Sequence, residues 1–581
     1  MRSFNNVLCV VMALSLLTLN AAADFYVATD GSDQNPGTEA APFATLTRAQ
    51  QAVREAGTHG LDRDLNVLLR SGTYRLDSPL RFEPEDAGTA EHRVTYKAFS
   101  GESVEISGGK LITDWKAETN NQWTVTLPEV TDGNWCFRQL FVDGHRLQRG
   151  RFPNAPGILR VKTVSEDYRN IILSKSPGAD NLSGINAELV MYQNWSISRA
   201  GIASSDGTRI ILETPMGWVG HGSATSASVD KPTYVENALS FVDTPGEWYL
   251  DESSGTLTYQ AADGEDPNTR CFVAPAANAL IQIAGTQDKP VRNLHFDRIN
   301  FAHTRWERPT FGYSGIQAGH YGTNMSEPTH VLPLAISFLY TEACSIKNAH
   351  IEHTGACAIG FGAGTQDNTV ESCSLVDIGA NGIMVGWRGI GEMSDNVSDE
   401  DRFLSADWPQ PQDVPESNTI TGNLIQRCGA INHGCVGIFD AFSRGTAITH
   451  NVVRDMPYSG ISVGFRWNES RTSQQDTLIA FNHVYNTMKV LADGGCLYTL
   501  GFQPGTIIRG NIFHDAHRSV FAHGGAPNNG IFFDQGSKGY LVEDNTIYNT
   551  SGNPIRFNQT NADNLTFKNN HFGIGVDTTT Q

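Results

Sequence analysis

The chain of 581 residues is longer than a single hydrophobic core normally grows, so a solenoid carrying an added module, or two to three domains, is the expectation. Charged residues are only 18%, while 57 residues are glycine and 9% aromatic, which excludes a disordered chain and fits an ordered β-type protein rich in turns. The formal charge of −20 at pH 7 sets nucleic acid and anionic membrane surfaces aside as partners, and a neutral or locally cation-screened polymer suits it better.

Residues 1–23 have the form of a signal peptide, with Arg2 ahead of an apolar run and Ala21-Ala22-Ala23 as the cleavage site, so a secreted or periplasmic protein is expected. The apolar run is shorter than the roughly 20 residues a membrane span needs. Eight cysteines follow singly, none in a CxxC with paired histidines, and neither a metal site nor a cofactor is expected. Cys428 and Cys435 suit either a short disulfide loop or two buried thiols.

Residues 24–110 open with a short strand and a helical stretch from about Leu46 to Ala56, suited to closing the open end of a stack of strands, and continue with alternating runs that form the first rungs. Over 111–274 the cadence breaks into strands with long irregular turns, which marks an inserted β-rich module. Its Trp195, Trp218 and Trp248 are sugar platforms or, more simply, core. From 275 to 581 the rungs resume. Asparagine returns to one slot at Asn423, Asn451, Asn482, Asn511, Asn545 and Asn570, at intervals of about 25 to 34 residues. An Asn there tolerates left-handed turn angles and stacks its amide on the next. Longer loops interrupt the rungs at Trp306–Leu332, Trp387–Pro415 and Arg466–Asp476, and the acidic run Asp395–Asp401 reads as a Ca²⁺ loop or a solvated one.

Two acidic residues beside glycines stand out: Asp493 in ADGGCLYTLG and Asp534 in NGIFFDQGS. They are one rung and one loop apart, and adjacent strands lie about 4.8 Å apart, so their carboxylates can face one another at the roughly 5 Å suited to a nucleophile and an acid/base. Asp440 in GIFDAF has a similar strand context and is the substitute for either. Arg466, Trp467, Tyr498, His514 and His523 are expected around the pair as substrate-binding residues. A hydrolase cleaving polysaccharide by an Asp pair is the first reading. A polysaccharide lyase and a non-catalytic carbohydrate-binding protein are the alternatives, and a monomer is expected.

The segments YVATDGSDQNPGTEAAPFATL, GEWYLDESSGTLTY, PYSGISVGFRW, LADGGCLYTLG and GIFFDQGS together resemble glycoside hydrolase family 141 over nearly the whole mature chain. That resemblance implies an all-β, right-handed parallel β-helix with an inserted β-module, α-L-fucosidase or xylanase action, and Asp493 and Asp534 as the catalytic residues. Relatives often carry Glu where this chain has Gln535.

Overall fold

The computed structural model describes residues 25–573 except 59, 179–181, 220–221, 223, 324–328 and 387–410; the leader and the acidic run Asp395–Asp401 lie outside the described residues. The architecture is a parallel β-helix. Among the described residues, three long parallel sheets run the length of the coil. The ladder sheet has 12 strands, from Phe25–Val27 to Thr566–Lys568; the cleft sheet has 10, from Leu80–Phe82 to Ile555–Phe557; and the rear sheet has 11, from Gly72–Arg75 to His571–Phe572.

Each sheet sends every second side chain inward, and the register stacks like on like. Val370, Ile420, Ile448, Ile479, Ile508 and Val542 form one inward row of the ladder sheet, each in register with the next and none exposed. Ile383, Ile438, Ile461, Leu497 and Ile531 form another on the cleft sheet. Burying one such side chain contributes about 1.5–3 kcal/mol, so the repeated rows are the main source of cohesion. The helix Leu46–Gly57, capped by the Thr45 hydroxyl accepting from the Arg48 amide, adds Leu46, Ala49, Ala52 and Val53 to the same core.

The asparagine ladder is continuous. Nδ2 of Asn423, Asn451, Asn482, Asn511 and Asn545 each donates to Oδ1 of the next asparagine at 2.9–3.0 Å. One detail differs from expectation: the left-handed residue is the one before each asparagine. Gly422, His450, Phe481, Gly510, Asp544 and Asn569 have φ between 48° and 67°. The asparagine side chain then replaces the backbone partners the tight corner leaves unpaired, as where Asn482 Nδ2 also donates to the Ile448 carbonyl at 2.8 Å.

Between Gly109–Ile112 and Phe272–Pro275 the chain leaves the coil and forms separate, mainly antiparallel sheets with their own apolar clusters. Trp248 is fully buried in one of these, and Trp195 is half-buried with Nε1 donating to the Ile316 carbonyl. The Trp306–Leu332 loop is recruited into this module, because Tyr313–Gln317 pairs with Ile197–Asp206 through Ser198 and Ser314. A third cluster joins the module to the outer face of the cleft sheet, bringing Tyr192, Tyr234 and Tyr321 against Phe439, Tyr458 and Phe465. Cys428 and Cys435 are buried free thiols.

Candidate active site

Asp493 stands at the turn entering the strand Gly495–Thr499, in the left-handed region at φ 64°. The glycines after it are required by close packing: a Cβ on Gly494 would sit 2.5 Å from Ser459 Oγ, and one on Gly495 2.5 Å from the Asn529 carbonyl oxygen. Asp534 directly follows the neighbouring strand Asn529–Phe533, and its amide donates to the Thr499 carbonyl. In its DQGS turn Gly536, at φ 73°, lies against the backbone of Asn468, where a Cβ would meet the Asn468 carbonyl carbon at 2.2 Å. The two motifs are therefore shaped by backbone crowding at the ends of adjacent rungs.

The two carboxylates have different surroundings. Arg556 Nη1 donates to Asp493 Oδ1 at 2.6 Å, with both side chains about one-fifth exposed. The guanidinium also stacks over the Phe532 ring at 4.0 Å. Asp534 accepts from the Tyr498 hydroxyl at 2.6 Å on one oxygen and from Asn558 Nδ2 at 2.7 Å on the other. Burial raises the Asp534 carboxyl above its ordinary range; the hydrogen bonds from Tyr498, Asn558 and the Gln535 amide hold it down in part, and the charge of Asp493 adds to the rise. Beside both is Tyr458, fully buried, whose hydroxyl donates to the Asp493 carbonyl at 3.1 Å. Burial, then the charges of Asp493 and Asp534, push this phenol well above its usual range, so both carboxylates lie within electrostatic reach of one ring.

Of the other sequence-derived residues, Tyr498 is in direct contact with Asp534, and Trp467 packs with Tyr498, Leu500 and Phe532 to form an aromatic wall beside it. Arg466 is 9% exposed, with Nε donating to Asn468 Oδ1 at 3.2 Å and Nη1 buried without a hydrogen-bond partner among the described residues. His523 is on the 517–528 loop, whose Gly525 lies against Asp493 and whose Phe521 ring meets Tyr192 of the module. Burial lowers the His523 imidazole, and Lys231 of the module lowers it further.

Two residues lie elsewhere. Asp440 is in register with Val463, Thr499 and Phe533, one position short of Asp534, so its side chain points into the coil. It is wholly buried and accepts from Ser443 Oγ at 2.6 Å, Gln474 Nε2 at 2.8 Å and Thr477 Oγ1 at 3.2 Å. It cannot substitute for Asp534 in the cleft. His514 belongs to the rear sheet, stacked between Tyr485 and Tyr548 with centroids at 5.0 and 4.6 Å and bonded to His483 and Asp515. Arg556, Asn558, Phe532 and Tyr458 were not singled out by the sequence. The signal for Arg556 and Asn558 was present in NPIRFNQ, which stacks on NGIFFDQ with Phe532 opposite Arg556.

Comparisons with known proteins bear on the fold and the inserted module. Residues 120–261 match the GH141 insertion domain. A solved glycoside hydrolase is 25% identical with a TM-score of 0.83, covering 95% of this chain and 97% of that one. A solved complex of XylC with xylose is 14% identical with a TM-score of 0.50, covering 92% of this chain and 69% of that one, and shares the fold. Among curated proteins, 36% identity is found over 90 residues to pectate lyase PEL9 of Emericella nidulans, and over 83 residues to the uncharacterized protein YwoF of Bacillus subtilis. The chain spans only 20% and 15% of the lengths of those two relatives. Fold, inserted module and structural likeness thus define a parallel β-helix protein of the glycoside hydrolase class. More particularly, residues 120–261 match the insertion domain of glycoside hydrolase family 141, and the chain as a whole is similar to a solved glycoside hydrolase.

Proposed function

We propose that the cleft hydrolyses a glycosidic bond in a complex polysaccharide, with Asp534 donating the proton to the leaving oxygen and Asp493 acting as the second carboxylate, on water or on the anomeric carbon. The observation that carries the proposal is the unequal environment of two aspartates grouped around Tyr458: one half-buried and raised above its ordinary range, the other ion-paired with Arg556. Carboxylates set apart in this way divide into a proton donor and an ionised partner. Trp467, half-buried beside Tyr498, offers an apolar face for a pyranose ring, with the buried Phe532 behind it as support. A fucosylated pectic chain or a xylan is the substrate class that the family resemblance supports, and export by the N-terminal leader suits such a substrate.

Incubating the protein with fucosylated, xylan and uronate polymers and separating the released sugars tests the reading. Reducing sugars without an unsaturated, ultraviolet-absorbing product are expected. An unsaturated product would assign a lyase instead, and binding without any product would assign a non-catalytic protein.

A further inference from the structure

The inserted module reaches the aspartates through one tight turn, residues 193–196, in which the Gln193 amide donates to the Ser196 carbonyl at 2.9 Å. This turn is bonded to the residue before Asp493: the Ala492 amide donates to the Asn194 carbonyl at 2.9 Å. Two glycines of the 517–528 loop pack beside that bond. A Cβ on Gly524 would sit 2.6 Å from Asn194 Oδ1, and one on Gly525 2.9 Å from the Asp493 Cβ. Asp493 itself is at φ 64°, a conformation that a residue with a Cβ keeps only where its surroundings impose it. The bonds from Ala492 to Asn194 and from Tyr458 to the Asp493 carbonyl bracket it on either side.

What holds the turn is a lysine. Lys231 is 1% exposed, and its Nζ donates to Asn194 Oδ1 at 2.9 Å and to the Ala224 carbonyl at 3.1 Å, with no ion pair among the described residues. Keeping an ammonium buried on neutral oxygens alone is unfavourable, and burial lowers Lys231 to about 8. Groups perturbed in this way concentrate at functional sites. The same turn carries a link toward Asp534. Trp195 Nε1 donates to the Ile316 carbonyl at 2.8 Å, and Ser196 Oγ to the Gly315 carbonyl at 2.7 Å. The next residue, Gln317, is 5% exposed and its side chain hydrogen-bonds Tyr498. Tyr498 gives its one hydroxyl hydrogen to Asp534, so Gln317 Nε2 is the donor to the phenol oxygen, and a donor there strengthens the bond from Tyr498 to Asp534.

We propose that Lys231 and Gln317 are positioning residues of the hydrolytic site, through which the inserted module fixes the place of Asp493 and the hydrogen bonding of Asp534; this rests on the assignment of those two carboxylates as the hydrolytic pair. Each acts through another residue, Lys231 through Asn194 and Gln317 through Tyr498. Because the 193–196 turn is bonded both to Ala492 and to the 313–317 strand, the two links belong to one strut that sets the aspartates relative to each other. The module is then part of the catalytic apparatus rather than a brace on the coil.

The test compares the full chain with its Lys231→Met and Gln317→Leu variants on the fucosylated pectin or xylan that the unaltered protein hydrolyses, together with hydrogen exchange of the Ala492 amide. In Lys231→Met, kcat per folded molecule should fall about tenfold or more with KM unchanged, because a catalytic group is misplaced while no substrate contact is lost. The Ala492 amide should exchange about tenfold faster in the same variant. In Gln317→Leu the weakened Tyr498 hydrogen bond should move the alkaline limb of kcat/KM to higher pH. A purely structural role would lower the melting temperature and leave kcat per folded molecule and the limb where they are. Should Lys231→Met fail to fold, Gly524→Ala, which drives a methyl group against Asn194 Oδ1, takes its place with the same expectations. If the unaltered protein releases no sugar, the hydrolase reading fails, and exchange at Ala492 alone decides whether Lys231 holds the Asp493 turn. The proposal is overturned if Lys231→Met leaves kcat and exchange unchanged or raises KM alone, or if Gln317→Leu leaves the alkaline limb in place.

Discussion

Two turns of the cleft sheet, GIFDAF around Asp440 and GIFFDQ around Asp534, differ by one residue before the aspartate and have opposite fates. The extra phenylalanine moves the acid one step along the strand. Asp440 falls on the inward face and is wholly buried with three hydrogen-bond donors on it, while Asp534 falls beyond the strand end, beside Tyr498, Asn558 and Tyr458. Burial raises both carboxyls. What separates a structural from a chemically available aspartate here is pleat parity rather than local composition.

Substitution should break that comparison in opposite directions. Asp493→Asn and Asp534→Asn remove the proposed pair, and turnover on polymer should fall by about 10³-fold or more in a protein that still folds, as steady-state rates and calorimetry would show. Next in size, Arg556→Met leaves Asp493 without its ion pair; losing a charged hydrogen bond worth roughly 1.5–3 kcal/mol predicts a fall in kcat/KM of about tenfold to a hundredfold. For Asp440→Asn the expectation reverses: activity per folded molecule is kept, while an amide facing three donors lowers stability by about 1–3 kcal/mol in denaturant titration. Asn482→Ala interrupts the ladder between Asn451 and Asn511 and should cost about 1–2 kcal/mol, again with activity kept.

The pH dependence follows from signs alone. Asp534 and Asp440 bind a proton more tightly folded than unfolded, so their contribution to stability is complete below the ordinary carboxylate range and is lost as pH rises through their elevated values. A proton donor at Asp534 also sets the alkaline limb of kcat/KM. The Tyr498 hydroxyl holds that carboxyl down, so Tyr498→Phe should move the alkaline limb to higher pH.

Much of this was legible in the sequence. The asparagine slot and the alternating apolar runs announced stacked rungs, and the glycines around Asp493 and Asp534 marked turns too crowded for a Cβ. Register was not legible. Spacing shows that His514 lies on a neighbouring rung but not that its strand belongs to the rear sheet, and GIFDAF looks like GIFFDQ until strands are paired. The module hid its full extent because Tyr313–Gln317, far along the chain, completes its sheet. Arg556 escaped notice for a similar reason: it reaches Asp493 across two strand neighbours, over the ring of Phe532.

The division of labour between the two aspartates is tested most directly with an aryl glycoside of the released sugar whose leaving group needs no proton. On that substrate Asp534→Asn should recover most of the wild-type rate and lose the alkaline limb, whereas Asp493→Asn should stay inactive. Equal inactivity of both variants, or an alkaline limb that persists without the Asp534 carboxyl, would contradict the account.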